Sequence, residues 1–121
     1  MTQARVLIAE DDPELRRVLQ RGLAEEGFAP ETVATGAELL ARVESDPPDL
    51  LVVDIGLPDA DGRDIFDNLR ARWPSLPVIF STGHAETRGL GGEAERVRVL
   101  QKPYEIAALL QAIADVTKES S

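Results

Sequence analysis

The apolar run Leu50-Leu51-Val52-Val53 stops on Asp54 and gives way to Ile55-Gly56-Leu57-Pro58-Asp59-Ala60-Asp61-Gly62, a segment rich in turn residues. A short continuous apolar run bounded by such residues reads as a strand buried on both faces. Strands of that kind belong to parallel sheets covered by helices, and open sheets of this type bind their ligands just outside the carboxyl ends of the strands. Asp54 therefore stands where chemistry is expected. Three further runs end in the same manner: Arg5-Val6-Leu7-Ile8-Ala9 in Glu10-Asp11-Asp12, Val78-Ile79-Phe80 in Ser81-Thr82-Gly83, and Val97-Arg98-Val99-Leu100 in Gln101-Lys102-Pro103. Acids, a hydroxyl and a lysine would share one edge of the sheet.

Helical patterns separate the runs. Leu15, Val18, Leu19, Gly22 and Leu23 fall at i, i+3, i+4, i+7 and i+8, one stripe of a helix. Asp12 suits the N-cap, Pro13 the first helical position, and Gly27 the stop. The last segment repeats the stripe with Ile106, Leu109, Leu110, Ile113 and Val116. Weaker helices are expected over 36–45 and 62–73, the latter ended by Trp73-Pro74, and a short strand from Ala29 to Val33. The alternation predicts an α/β fold: a single, open, doubly wound five-stranded parallel sheet, (βα)5 and flavodoxin-like, with strand order 2-1-3-4-5. Asp11, Asp12 and Asp54 would then meet where the strand order reverses. Residues 83–96 resist the pattern, with glycines at 89, 91 and 92 and one large apolar residue, Leu90. Each interior glycine costs about 1 kcal/mol relative to alanine, so a short, displaced or irregular fourth helix is expected there.

At 121 residues the chain suits one domain, 1–121, with one core and no room for a separate effector domain. No stretch approaches a membrane span and the N-terminus has no signal-like core, so the expected compartment is the cytoplasm, without membrane insertion. With no cysteine and a single His84, any metal should be a hard ion held by oxygen, and magnesium is the natural candidate. A formal charge of -9 argues against direct nucleic-acid binding. Lys102 and Lys118 are the only lysines beside a preponderance of arginine, which makes a lysine at a strand end notable as a flexible point charge.

Three carboxylates in one low-dielectric pocket repel each other, and a divalent cation resolves the conflict. The residues suggest magnesium with Asp12 and Asp54 as direct ligands, Asp11 acting directly or through water, and a loop carbonyl such as that of Gly56 in another position. Asp54 would keep one oxygen free to attack phosphorus. Phosphoryl transfer depends on positioning and on charge set against the equatorial oxygens, for which Lys102 and the Thr82 hydroxyl are placed. Gly83 would admit close backbone approach, and Lys102-Pro103 could hold a cis bond that aims the lysine. Trp73 and Tyr104 are read as packing residues, and His84 as a loop residue without a catalytic role.

Glu10-Asp11-Asp12, Asp54 with Leu57-Pro58 and Asp61-Gly62, Thr82-Gly83, and Lys102-Pro103-Tyr104 together resemble the receiver domain of two-component response regulators, in order and across the whole chain. The resemblance implies a magnesium-dependent signalling acceptor that takes a phosphoryl group from a phosphohistidine of a histidine kinase or phosphotransfer protein and later loses it by hydrolysis. On that pattern Asp54 is the phosphoacceptor, Asp11 and Asp12 serve the metal, Thr82 and Lys102 bind the phosphoryl group, and the helix after Asp12 contacts the kinase. The domain would not be an enzyme in its own right, although it assists its own phosphorylation and dephosphorylation. Val99 stands where the family often carries an aromatic residue that moves with the threonine. Together with the glycine-rich fourth segment, that substitution suggests a stand-alone or hybrid-kinase-type receiver over one with DNA-binding output. Two other readings compete: a magnesium phosphohydrolase with Asp54 as nucleophile, opposed by Gly56 where such enzymes carry a second acid, and a degenerate receiver serving as a protein-binding platform.

Overall fold

The structure is a computed structural model that describes residues 3–83 and 97–120. In chain order its elements are β1 (Arg5–Ala9), α1 (Pro13–Glu25), β2 (Ala29–Val33), α2 (Gly36–Ser45), β3 (Leu50–Asp54), β4 (Gly56–Leu57), β5 (Ala60–Asp61), α3 (Gly62–Arg72), β6 (Val78–Thr82), β7 (Val97–Gln101) and α4 (Ile106–Ser120). Five strands form a parallel sheet in the order β2-β1-β3-β6-β7, which is 2-1-3-4-5 when these five alone are numbered. The expected reversal therefore lies between β1 and β3. The fourth helix expected within 83–96 lies, apart from Gly83, outside the described residues, as does His84.

Successive strand residues point to opposite faces, so one short sheet organises two cores. Leu7, Ala9, Leu51, Val53, Val78 and Phe80 pack on one face with Leu39 and Val43 of α2 and Ile65 and Leu69 of α3. Val6, Ile8, Leu50, Val52 and Ile79 pack on the other with Leu19 and Leu23 of α1 and Leu109, Ile113 and Val116 of α4. β3 and β6 are buried at every position, as their unbroken apolar runs require. Trp73 and Val99 lean on the first cluster and Tyr104 on the second, so both aromatic residues are packing groups.

Local signals explain the helix ends. Asp12 is the N-cap of α1, with Pro13 at the first position, and Gly27 leaves the helix with φ +92, a conformation that favours glycine. Gly22 brings α1 close to α4: a Cβ there would lie 2.7 Å from Ile106 Cδ1. The expected helix over 62–73 ends at Arg72, just before the Trp73-Pro74 stop. The loop after β3 is more ordered than its sequence suggests, because Gly56 and Leu57 pair with Asp61 and Ala60 in a two-stranded hairpin.

Candidate phosphoacceptor site

Strand parity builds the site. Glu10 follows Val6 and Ile8 at two-residue spacing, Asp54 follows Leu50 and Val52, and Lys102 follows Leu100, so all three continue the rows that face α1 and α4. Glu10 and Asp54 are 1% and 6% exposed, which is rare for acids unless they are paired. Lys102 provides the pairing: its Nζ lies 2.7 Å from Glu10 Oε1 and 3.1 Å from Asp54 Oδ2. The other Asp54 oxygen, Oδ1, accepts from the Gly56 amide at 3.0 Å. Glu10 Oε2 accepts from the Asp12 amide at 3.1 Å, and Arg16 donates to the Glu10 and Asp11 carbonyls, which fixes the acidic loop on α1.

These neighbours set the electrostatics. Burial, with the Asp54 carboxylate adding to it, pushes Glu10 above the usual carboxylate range against the pull of Lys102 and the Asp12 amide. Burial works to lower the Lys102 ammonium, but its contacts with Glu10 and Asp54 outweigh that and hold its pKa above the usual lysine value. Burial also raises the Tyr104 phenol.

Carboxylate oxygens of Glu10, Asp11 and Asp54 all lie within 4.8 Å of one another. That donor set, hard and entirely oxygen, fits magnesium. Of the acids expected to serve a metal, Asp11 and Asp54 are thus brought together and Asp12 is not. Asp12 Oδ1 instead accepts from the amides of Glu14 at 2.9 Å and Leu15 at 3.4 Å, as a helix cap does. Glu10 takes the third place, and the signal for it was present in the sequence as the two-residue spacing from Val6 and Ile8. Gly56 is adjacent through its amide rather than any need for glycine: a Cβ would find only Asp54 Oδ1 within 4 Å, at 3.8 Å. Gly83 likewise has nothing within 4 Å of an added Cβ among the described residues.

Thr82 ends β6 at 3% exposure, beside Ser81, which registers with Asp54 across β3 and β6. Its carbonyl accepts from the Lys102 amide at 2.7 Å, tying the two expected phosphoryl-binding residues together through the backbone. The Lys102-Pro103 bond is cis. An open groove of about 600 Å³ borders the site, walled by Leu15 and Val18 of α1 on one side and Lys102, Pro103 and Tyr104 on the other. Val18 is 53% exposed, the one large apolar side chain so exposed among the described residues. No helix among the described residues is long and apolar enough to cross a membrane.

A buried acid at the end of β3, an acidic loop after β1 and a lysine after β7, on a sheet of this order, define a receiver-type phosphoacceptor fold. The chain belongs to the response regulator receiver domain family, whose profile matches residues 6–114. It is similar to the DNA-binding transcriptional regulator NtrC of Escherichia coli K12, 38% identical over 108 residues that cover 88% of this chain and 23% of NtrC. The chain thus spans about a quarter of that relative's length. Among solved structures it resembles a CheY-like receiver domain protein from Methanospirillum hungatei JF-1, with a TM-score of 0.89, 28% identity, and 98% and 97% of the two chains covered. A sensor protein from Polaromonas sp. JS666 superposes with a TM-score of 0.86 at 28% identity, covering 99% of this chain and 100% of that one.

Proposed function

We propose that Asp54 accepts a phosphoryl group from a phosphohistidine of a histidine kinase or histidine phosphotransfer protein, in a Mg2+-dependent reaction. The observation that carries this reading is the buried Asp54 carboxylate, with Oδ1 on the Gly56 amide and Oδ2 on Lys102, inside a cluster of three acids. An Asp54 oxygen attacks phosphorus, the P–N bond breaks, its electron pair leaves on the imidazole nitrogen, and an aspartyl phosphate forms. Lys102, already beside Asp54, sets its charge against a phosphoryl oxygen, and the Thr82 hydroxyl serves another. Glu10, Asp11 and Asp54 would hold magnesium, which when bound supplies positive charge to the acids and to the incoming phosphoryl group. The groove beside α1 gives a histidine-bearing partner a path to Asp54, and exposed Val18 gives it an apolar contact.

The domain is a signalling acceptor, not a turnover enzyme, and it works in the cytoplasm. NtrC is a DNA-binding regulator and the Polaromonas neighbour is a sensor protein, so relatives of both kinds exist. Val99 in place of the usual aromatic favours a stand-alone or hybrid-kinase-type receiver, and the charge of -9 argues against nucleic-acid contact by the domain itself. The test is phosphorylation by a small phosphoramidate donor and by a phosphorylated histidine phosphotransfer protein, read by intact mass. One added phosphoryl group per chain, lost in Asp54→Asn and on chelation of Mg2+, is expected. Labelling that persists in Asp54→Asn, or continuous release of phosphate from simple esters, would overturn the reading.

A further inference from the structure

The hairpin that follows Asp54 is held at its tip by a helix to which it is not connected. Asp59 lies between β4 and β5, and its two carboxylate oxygens accept separately from the first two amides of α2, Gly36 N at 2.8 Å and Ala37 N at 3.0 Å. The remaining start of α2 is satisfied locally: Thr35 Oγ1 takes the Glu38 amide, Glu38 takes the Ala34 amide, and the Thr35 carbonyl takes the Leu39 amide. A helix start leaves four amides without intrahelical partners, and here Asp59 satisfies two of them from a distant part of the chain.

The consequence reaches the site along the hairpin. Its base is Gly56, whose amide holds Asp54 Oδ1, and its middle is Leu57, buried at 6% in the core beneath α2 and α3. Its tip has Asp59 as the anchor. The other end of the same connection is also tied to the acids, because the Glu10 amide donates to Val33, the last residue of β2 before α2. The start of α2 therefore holds the hairpin after β3, and the end of β2 just before it holds the acidic loop after β1.

We infer that Asp59 is a positioning residue for the phosphoacceptor site: by docking the hairpin tip on the start of α2 it holds Gly56 against Asp54 and so keeps the carboxylate cluster in its cation-binding arrangement. This rests on the reading of that cluster as a magnesium site. Asp59 stands outside the cluster of Glu10, Asp11 and Asp54, so its removal should alter the geometry of Asp54 rather than the chemistry.

The experiment is an amide NMR titration with Mg2+ on wild type, Asp59→Ala, Asp59→Asn and Thr35→Ala, together with hydrogen exchange at Gly36 and Ala37. Asp59→Ala is expected to lose protection at both amides, to shift the Gly56 amide before any cation is added, and to raise the Mg2+ Kd about tenfold, the lower end for groups that orient metal ligands. Asp59→Asn, which keeps one of the two acceptor oxygens, should recover part of that affinity. Thr35→Ala weakens the same helix start without touching the hairpin and should leave the Kd unchanged. Exposed Gly36 and Ala37 amides with an unchanged Kd in Asp59→Ala would reduce Asp59 to a helix cap and overturn the inference. A wild-type domain that shows no saturable response to Mg2+ would overturn the metal reading itself, a distinct failure.

Discussion

Two strand ends supply the carboxylates of the site, and the segment at each also gives one acid to a helix start. The loop after β1 sends Glu10 and Asp11 to the cluster and caps its own helix, α1, with Asp12. β3 ends on Asp54, which joins the cluster, and the hairpin that follows caps a remote helix, α2, with Asp59. In the first case the acid and the amides it serves are two and three residues apart, so the bond forms whenever the helix does. In the second they are 23 and 22 residues apart, and the bond exists only once the sheet has brought β2 and β3 to either side of β1. The difference shows that neighbouring acids are divided between chemistry and architecture by geometry, not by residue type.

The sharpest way to break that division is to compare Asp11→Asn with Asp12→Asn. Asparagine caps a helix about as well as aspartate, so only the loss of a cluster carboxylate should matter. Asp11→Asn is expected to weaken Mg2+ binding by about a hundredfold and Asp12→Asn by no more than about threefold, measured by titration calorimetry. Equal losses in both would return Asp12 to the cluster.

A smaller effect is expected on stability. Asp12→Ala removes the acceptor for the Glu14 and Leu15 amides and should cost about 1 kcal/mol, or about 4 °C in Tm, with little change in the site. Thermal unfolding checks it, and an unchanged Tm would remove Asp12 from its capping role.

The remote cap should respond to acid. The amides of Gly36 and Ala37 hold the Asp59 carboxyl below the usual carboxylate range. A lowered folded pKa contributes stability that is fully present above the ordinary aspartate pKa and is lost as pH falls through the folded value. The stability gap between wild type and Asp59→Asn, followed by urea unfolding, should therefore be constant near neutrality and narrow in strong acid. A gap that widens on acidification would contradict the bonding.

The smallest effect is expected at Gly56. Glycine is not demanded there by φ or by crowding, and any residue except proline offers the same amide and carbonyl. Gly56→Ala should change stability by less than about 0.5 kcal/mol, and urea unfolding together with an Mg2+ titration will detect anything larger.

Most of this layout was legible along the chain because it rests on local periodicity. The unbroken run at Leu50 to Val53, the stripe from Leu15 to Leu23, and Asp12 before Pro13 state their structures without long-range information. Asp54, Thr82 and Lys102 were likewise legible, since a polar residue ending a buried strand has few places to go. Glu10 was half legible. Its spacing from Ile8 puts it on the Asp54 side of the sheet, but three consecutive acids do not by themselves say which of them lie nearest Asp54.

What the sequence by itself determined is the set of strands and helices and the edge on which the chemistry collects, because alternation and capping act over a few residues. Only the tertiary structure decided which acid does what. The order of parallel strands places Glu10, Asp11 and Asp54 within reach of one another, turns Asp12 onto its helix, folds Gly56 to Asp61 into a hairpin, and carries Asp59 to the start of α2. Each of those outcomes depends on bonds between residues far apart in the chain, whose partners no local pattern can name.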